Sequence, residues 1–262
     1  MKITCTAVAL LASLATLSYA DPRPWTFTYD TYSEGKGNAE FEQWVTWNTH
    51  KSTEHGYDLF QFREEIEYGL TDNFDISIYA PSWNYEDSKD RKGTRYDSVG
   101  VEGILYLSKP TDIVGAALYS EINVGEAGRE FEFEEKLLLH KDIGRWSFAY
   151  NLVLETEIER EKNDEGEREN EVTGILGHTV AAAYSVNKNW RLGGELVIES
   201  SYEDWSRYED TTVYAGPSIN YVGNGVPGTK MNWWVTVTPA FQLSSVDDEP
   251  DFVVRMIAGL EF

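Results

Sequence analysis

Arg145-Trp-Ser-Phe-Ala-Tyr-Asn-Leu-Val-Leu-Glu-Thr-Glu-Ile-Glu159 alternates along its whole length. Trp146, Phe148, Tyr150, Leu152 and Leu154 fall on one side, and Ser147, Ala149, Asn151, Val153 and Glu155 on the other. A period of two is the pleat of a β-strand with two unlike faces. Upstream, Phe60, Phe62, Ile66, Tyr68 and Leu70 alternate with Gln61, Arg63, Glu65, Glu67 and Gly69, and Glu64 is the one exception on the apolar side. Downstream, Trp190, Leu192, Leu196 and Ile198 alternate with Arg191, Gly193, Glu195 and Glu199. The rhythm predicts twelve strands, over 40–49, 57–70, 74–85, 96–108, 113–124, 130–142, 145–159, 170–186, 190–202, 211–222, 230–243 and 252–262.

The connections alternate as well. Short turns at 71–73, 109–112, 142–144 and 187–189 follow every second strand, and longer charged links at 86–95, 160–169, 203–210 and 244–251 fall between them. The link 222–229 is longer but turn-like, with three glycines and a proline. Loops that are short at one end and long at the other define an all-β, antiparallel up-and-down transmembrane β-barrel of about 12 strands. Period two alone does not orient the faces, because soluble barrels alternate too. Size decides: side chains pack the interior of a barrel of about eight strands, and a twelve-stranded one is too wide for an apolar filling. The apolar stripes therefore face lipid. Aromatics sit at their ends, with Tyr68, Phe74, Trp146, Trp190 and Trp233 near short turns and Trp83, Tyr85, Phe131 and Tyr202 near long ones, as interface girdles require.

Length and composition agree. The 262 residues carry 45 Asp+Glu against 22 Lys+Arg and 14% aromatics. A net charge of −23 excludes nucleic acid as a partner, because a polyphosphate needs a basic face. Lys2, an apolar run to Leu17 and Ser18-Tyr19-Ala20 read as a signal peptide over 1–20, too short to span a bilayer. Its removal takes away Cys5, the single cysteine, so the exported chain carries no thiol to mispair. Residues 21–39 are then an N-terminal periplasmic or plug segment and 40–262 the barrel, located in the cell outer membrane. The alternation Met256, Ala258, Leu260, Phe262 runs to the last residue, a C-terminus of the kind that outer-membrane barrel assembly machinery recognises.

With the apolar stripes outward, the lumen-lining set is Arg63, Glu65, Glu67, Glu102, Glu121, Glu132, Glu134, Lys136, Glu155, Glu157, Arg191, Glu195, Glu199 and Arg255. Carboxylates dominate it. One reading is a salt-bridged wall that props the barrel; the other is a water-filled passage for small neutral or cationic solutes that repels anions. Inward Tyr79, Tyr119, Tyr214 and Trp234 have the bulk to narrow the bore. The alternatives are a non-conducting surface barrel with acidic loops that bridge lipopolysaccharide through divalent ions, and a membrane-embedded hydrolase. An enzyme is not expected. His178 lies in a strand with no evident partner, His140 lies near a short turn, and no G-x-S-x-G, H-E-x-x-H or phosphate-binding glycine loop occurs. His50, Glu54, His55 and Asp58 crowd the first long loop as possible metal ligands, but loop residues of this kind are usually solvated; no metal and no cofactor is expected.

Asp21-Pro-Arg-Pro-Trp25, then Glu34-Gly-Lys-Gly37 and Ala39-Glu-Phe-Glu-Gln-Trp44, resemble the start of a family of outer-membrane barrels associated with the meta-pathway of phenol degradation. There an Arg-Pro-aromatic stretch precedes a Gly turn and a Glu-aromatic-Glu first strand. The resemblance implies transport of small compounds and supplies no catalytic residues.

Overall fold

A computed structural model describes residues 22–125, 128–162, 168–223, 225, 226, 228, 229 and 231–262; the signal peptide expected at 1–20 lies outside the described residues. Among the described residues the strands are β1 (Ala39–Lys51), β2 (Glu54–Thr71), β3 (Phe74–Tyr79), β4 (Trp83–Asp87), β5 (Lys92–Tyr96), β6 (Ser98–Ser108), β7 (Gly115–Gly125), β8 (Glu130–Ile143), β9 (Trp146–Lys162), β10 (Arg168–Ser185), β11 (Trp190–Glu203), β12 (Arg207–Val222), β13 (Asn232–Gln242) and β14 (Pro250–Glu261). Each pairs antiparallel with its neighbours, and β1 pairs with both β2 and β14, which closes the sheet. Successive β3 and β4 form one stave of the wall, as do β5 and β6, so the fourteen strands make a barrel of twelve staves.

The interrupted staves have a local cause. Glu65 pairs with Tyr79 and Phe62 with Trp83, so Arg63 and Glu64 stand against Ala80, Pro81 and Ser82, three residues opposite two. That is a β-bulge, placed where Pro81 has no N–H to give the ladder. The ladder to the next stave continues through it: Ser82 N donates to Ser98 O at 2.8 Å and Asp97 N to Ser82 O at 2.9 Å.

The long links are shorter than the sequence predicts, because strands run on into them. β4 and β5 extend to Asp87 and from Lys92, an ion pair with N–O 2.5 Å. The first loop is only Ser52-Thr53, and β11–β12 turn through Asp204 and Trp205, whose φ angles are 49° and 58°. Polar cross-strand pairs make extension favourable beyond the apolar band, where periodicity no longer marks it.

Outward-facing Ile66, Ile78 and Leu107 are each more than half exposed, and Tyr68, Trp146, Trp190 and Trp233 stand exposed near the short turns. Inward-facing Glu65, Asn220, Thr236 and Thr238 are fully buried. Charge is inside and grease outside, the reverse of a water-soluble core.

One seam of the closed wall lacks part of its ladder. β12 and β13 pair through Ala215–Phe241 and Ile219–Val237, with no pairing between them. In that register Pro217 falls opposite Pro239, and neither has an N–H to donate. A Cβ on Gly216 would lie 1.8 Å from Pro239 O, so only glycine lets the two strands approach there.

Candidate functional site

Residues 22–38 run through the interior, entering and leaving at the short-turn end. Arg191 Nη1 donates to Pro22 O at 2.7 Å, and Asn220 Nδ2 to Arg23 O at 3.2 Å. Deeper in, the Glu195 carboxylate accepts the backbone N–H groups of Thr26, Phe27 and Thr28 at 2.8, 2.8 and 2.9 Å, and Thr238 Oγ1 at 2.7 Å. Three successive amides converging on one carboxylate form an anion nest, here with the anion supplied by the wall. Asn151 both accepts from Tyr29 N at 2.7 Å and donates to Tyr29 O at 3.0 Å.

The chain then turns back. Thr31 N donates to His140 Nδ1, Tyr32 Oη to Asp142, and Glu34 N to Asp75. Gly69 receives the exit. Gly37 N donates to Gly69 O at 2.8 Å, and a Cβ on Gly69 would lie 2.0 Å from Gly35 O. Trp25 is fully buried, edge-on to His140 at 5.8 Å. Burial and the nearby Asp75 push the Glu34 carboxyl up to about 8.

On the long-link side of this segment lies a cavity of about 410 Å³. Phe27 and Tyr29 form part of its lining, with Asn48, Lys51, Tyr57 and Glu249 toward the long-link end. Arg63 reaches across it, with Nη1 3.5 Å from Glu121 Oε1, and its guanidinium lies 4.4 Å from the Trp44 ring and 3.8 Å from that of Tyr79. Lys136 pairs with Glu134 at 2.8 Å and lies over Tyr119 at 4.1 Å. Arg255 donates from Nε to Thr46 Oγ1 at 3.0 Å and lies over Phe27 at 4.3 Å. Cations laid on aromatic faces are held in place beside the carboxylates they pair with.

The predicted residues occupy three levels. Arg63, Glu121, Glu132, Glu134, Lys136, Glu155, Glu199 and Arg255 line the cavity. Glu157 lines a side pocket of about 220 Å³ with Glu132. Below them Glu65, Glu67 and Glu102 are buried in the lower wall, while Arg191 and Glu195 hold the inner segment. Glu121, Glu132 and Glu134 bring carboxylate oxygens within 4.8 Å of one another, as do Glu132, Glu155 and Glu157, spacings that a single cation can bridge.

Two sequence readings are corrected. His178 has a partner, since Tyr150 Oη and His178 Nδ1 are 2.9 Å apart on the outward face. The loop set His50, Glu54, His55 and Asp58 is not one cluster: His50 meets Asp251 and His55, Glu54 accepts Lys89 N, and Asp58 accepts Trp47 Nε1 at 2.8 Å. The residues that sequence reasoning missed are Arg23, Asp75 and the outward Glu135, which accepts Ser120 Oγ at 2.6 Å; none departs from its local pattern in a way that names a partner.

A family model described as a family of unknown function, DUF6662, matches residues 17–250; this is not the phenol-degradation group that the N-terminus resembles. No curated protein matches the sequence. Among solved structures, the COG4313 outer membrane channel from Pseudomonas putida F1 aligns with TM-score 0.61 at 12% identity, covering 91% of this chain and 100% of that one. The β domain of the Bordetella autotransporter BrkA gives 0.53 at 10% identity, covering 87% and 99%, and the NanC porin 0.52 at 10%, covering 86% and 98%. The shared fold is that of bacterial outer-membrane β-barrels.

Proposed function

We propose that this chain, which belongs to the DUF6662 family of unknown function, is an outer-membrane channel for small neutral or cationic solutes, closed at its short-turn end by residues 22–38. The observation that carries the reading is the cavity inside the closed wall, where Glu121, Glu132, Glu134, Glu155, Glu199 and Glu249 outweigh Lys51, Arg63, Lys136 and Arg255. An excess of fixed negative charge in a water-filled bore with low-dielectric walls concentrates cations and excludes anions. The outward apolar face fits lipid, lipopolysaccharide borders the acidic tips, and Phe262 addresses the barrel assembly machinery.

Planar-bilayer recordings under a salt gradient test this. The expected result is a small or intermittent conductance for the exported chain, a larger one after deletion of residues 22–33, and a reversal potential on the cation side in both. Silence of both forms, or anion preference, refutes the channel. A second reading, a non-conducting surface barrel, is favoured by the complete burial of Trp25 in the bore. It predicts that liposomes carrying the intact chain do not swell in any small sugar.

A further inference from the structure

The lower wall holds more carboxylates than its own cations answer. In the β1–β2 register Glu42 stands opposite Glu65 and Glu40 opposite Glu67, and across β6–β7 Glu102 stands opposite Glu121. Like charges directly opposed repel, so a counter-charge is required. For Glu42 and Glu67 it comes from outside the wall: Arg23 Nε lies 3.2 Å from Glu42 Oε1 and its Nη2 3.5 Å from Glu67 Oε2. The same guanidinium lies 4.3 Å from the Tyr29 ring and 5.4 Å from that of Trp44. Beside it Glu65 is fully buried, and its ion pair to Arg63 Nη2 spans a loose 3.7 Å. Carboxylates around an aromatic face are the chemistry that selects a flat organic cation.

We propose that Glu42, Glu65, Glu67 and Trp44 form a binding site for a small solute bearing a guanidinium group, and that Arg23 fills it as a tethered internal ligand. The assignment rests on the channel reading and names the solute class of that same lumen. Tyr29 leaves with the segment while Trp44 and the three glutamates remain on β1 and β2, so the wall keeps its recognition groups when Arg23 withdraws. A free guanidinium solute competes with Arg23 and, once bound, favours the state in which the segment is out.

The test titrates agmatine into the folded chain lacking residues 1–20, in detergent micelles, and follows tryptophan fluorescence. Deletion of residues 22–33 is expected to tighten agmatine binding about tenfold or more, because the competitor is gone. In that background Glu42→Gln is expected to weaken it by about tenfold or more, the loss of one charge-assisted pair. Glutamate, the control anion, is expected not to bind. If the deletion variant does not fold, Arg23→Gln in the full chain gives the same gain with the segment retained. Absence of agmatine binding in both unblocked forms, or binding indifferent to Glu42→Gln, overturns the site even where the barrel conducts. Binding without conductance supports the site and overturns the channel instead.

Discussion

Glu195 shows how much one side chain can decide. Its two oxygens accept three consecutive backbone amides of the inner segment and the Thr238 hydroxyl. Replacing it by alanine strands those donors, a cost of about 2–5 kcal/mol that falls mainly on the docked segment, since three of these four donors are its amides. Glu195→Ala is therefore expected to leave barrel formation intact, to speed hydrogen exchange at Thr26, Phe27 and Thr28, and to raise open-channel occupancy in bilayers. Unchanged exchange at those amides would show that the nest is not what holds the segment. The inward position of Glu195 is legible in its alternation with Leu196 and Ile198. Its partner is not, because the amides it binds lie up to 169 residues away and carry no pattern of their own.

At the scale of strands, the twelve staves were readable because each has one face that must meet an apolar medium and one that must not. Reading failed where that contrast fades. Beyond the apolar band, Lys92 and Asp87 or Arg207 and Glu203 extend hairpins by ion pairing, which leaves no period-two trace. The bulge at Ala80-Pro81-Ser82 has one trace, Pro81 inside a predicted strand, but periodicity alone does not register it, because an inserted residue shifts the pairing with the neighbouring strand.

The β12–β13 seam carries a prediction of its own. Gly216→Ala places a methyl against Pro239 O and is expected to cost about 1–3 kcal/mol, read as a lower urea midpoint of the micelle-embedded barrel. Pro239→Ala, which restores a ladder donor, is expected to slow amide exchange at the neighbouring positions of β13. Equal exchange along β12–β13 and β9–β10 in the natural chain would contradict a weak seam.

For the whole molecule, the channel reading predicts that closure of the bore depends on pH through Glu34. Burial raises its carboxyl to about 8 in the docked state, against about 4.5 when solvated. Asp75, Glu261 and Glu42 add repulsion, and Arg23 opposes them. The docked form therefore binds more protons than the released form between these values. Ionisation opposes docking increasingly as pH rises from about 4.5, and the penalty is complete above about 8. Open-channel occupancy is expected to rise with pH across this window, and Glu34→Gln to flatten the profile. An occupancy that falls as pH rises would refute the linkage.

Residues 22–38 pass in and out through one mouth. A segment doubled back in this way never has to be threaded, so the cylinder can be completed with its interior still wet and the segment seated afterwards, as a separate loop closure. During refolding, resistance of the wall to protease should accordingly precede protection of the peptide bonds around Trp25. The same geometry permits repeated unseating for the lifetime of the protein without breaking a single rung between staves.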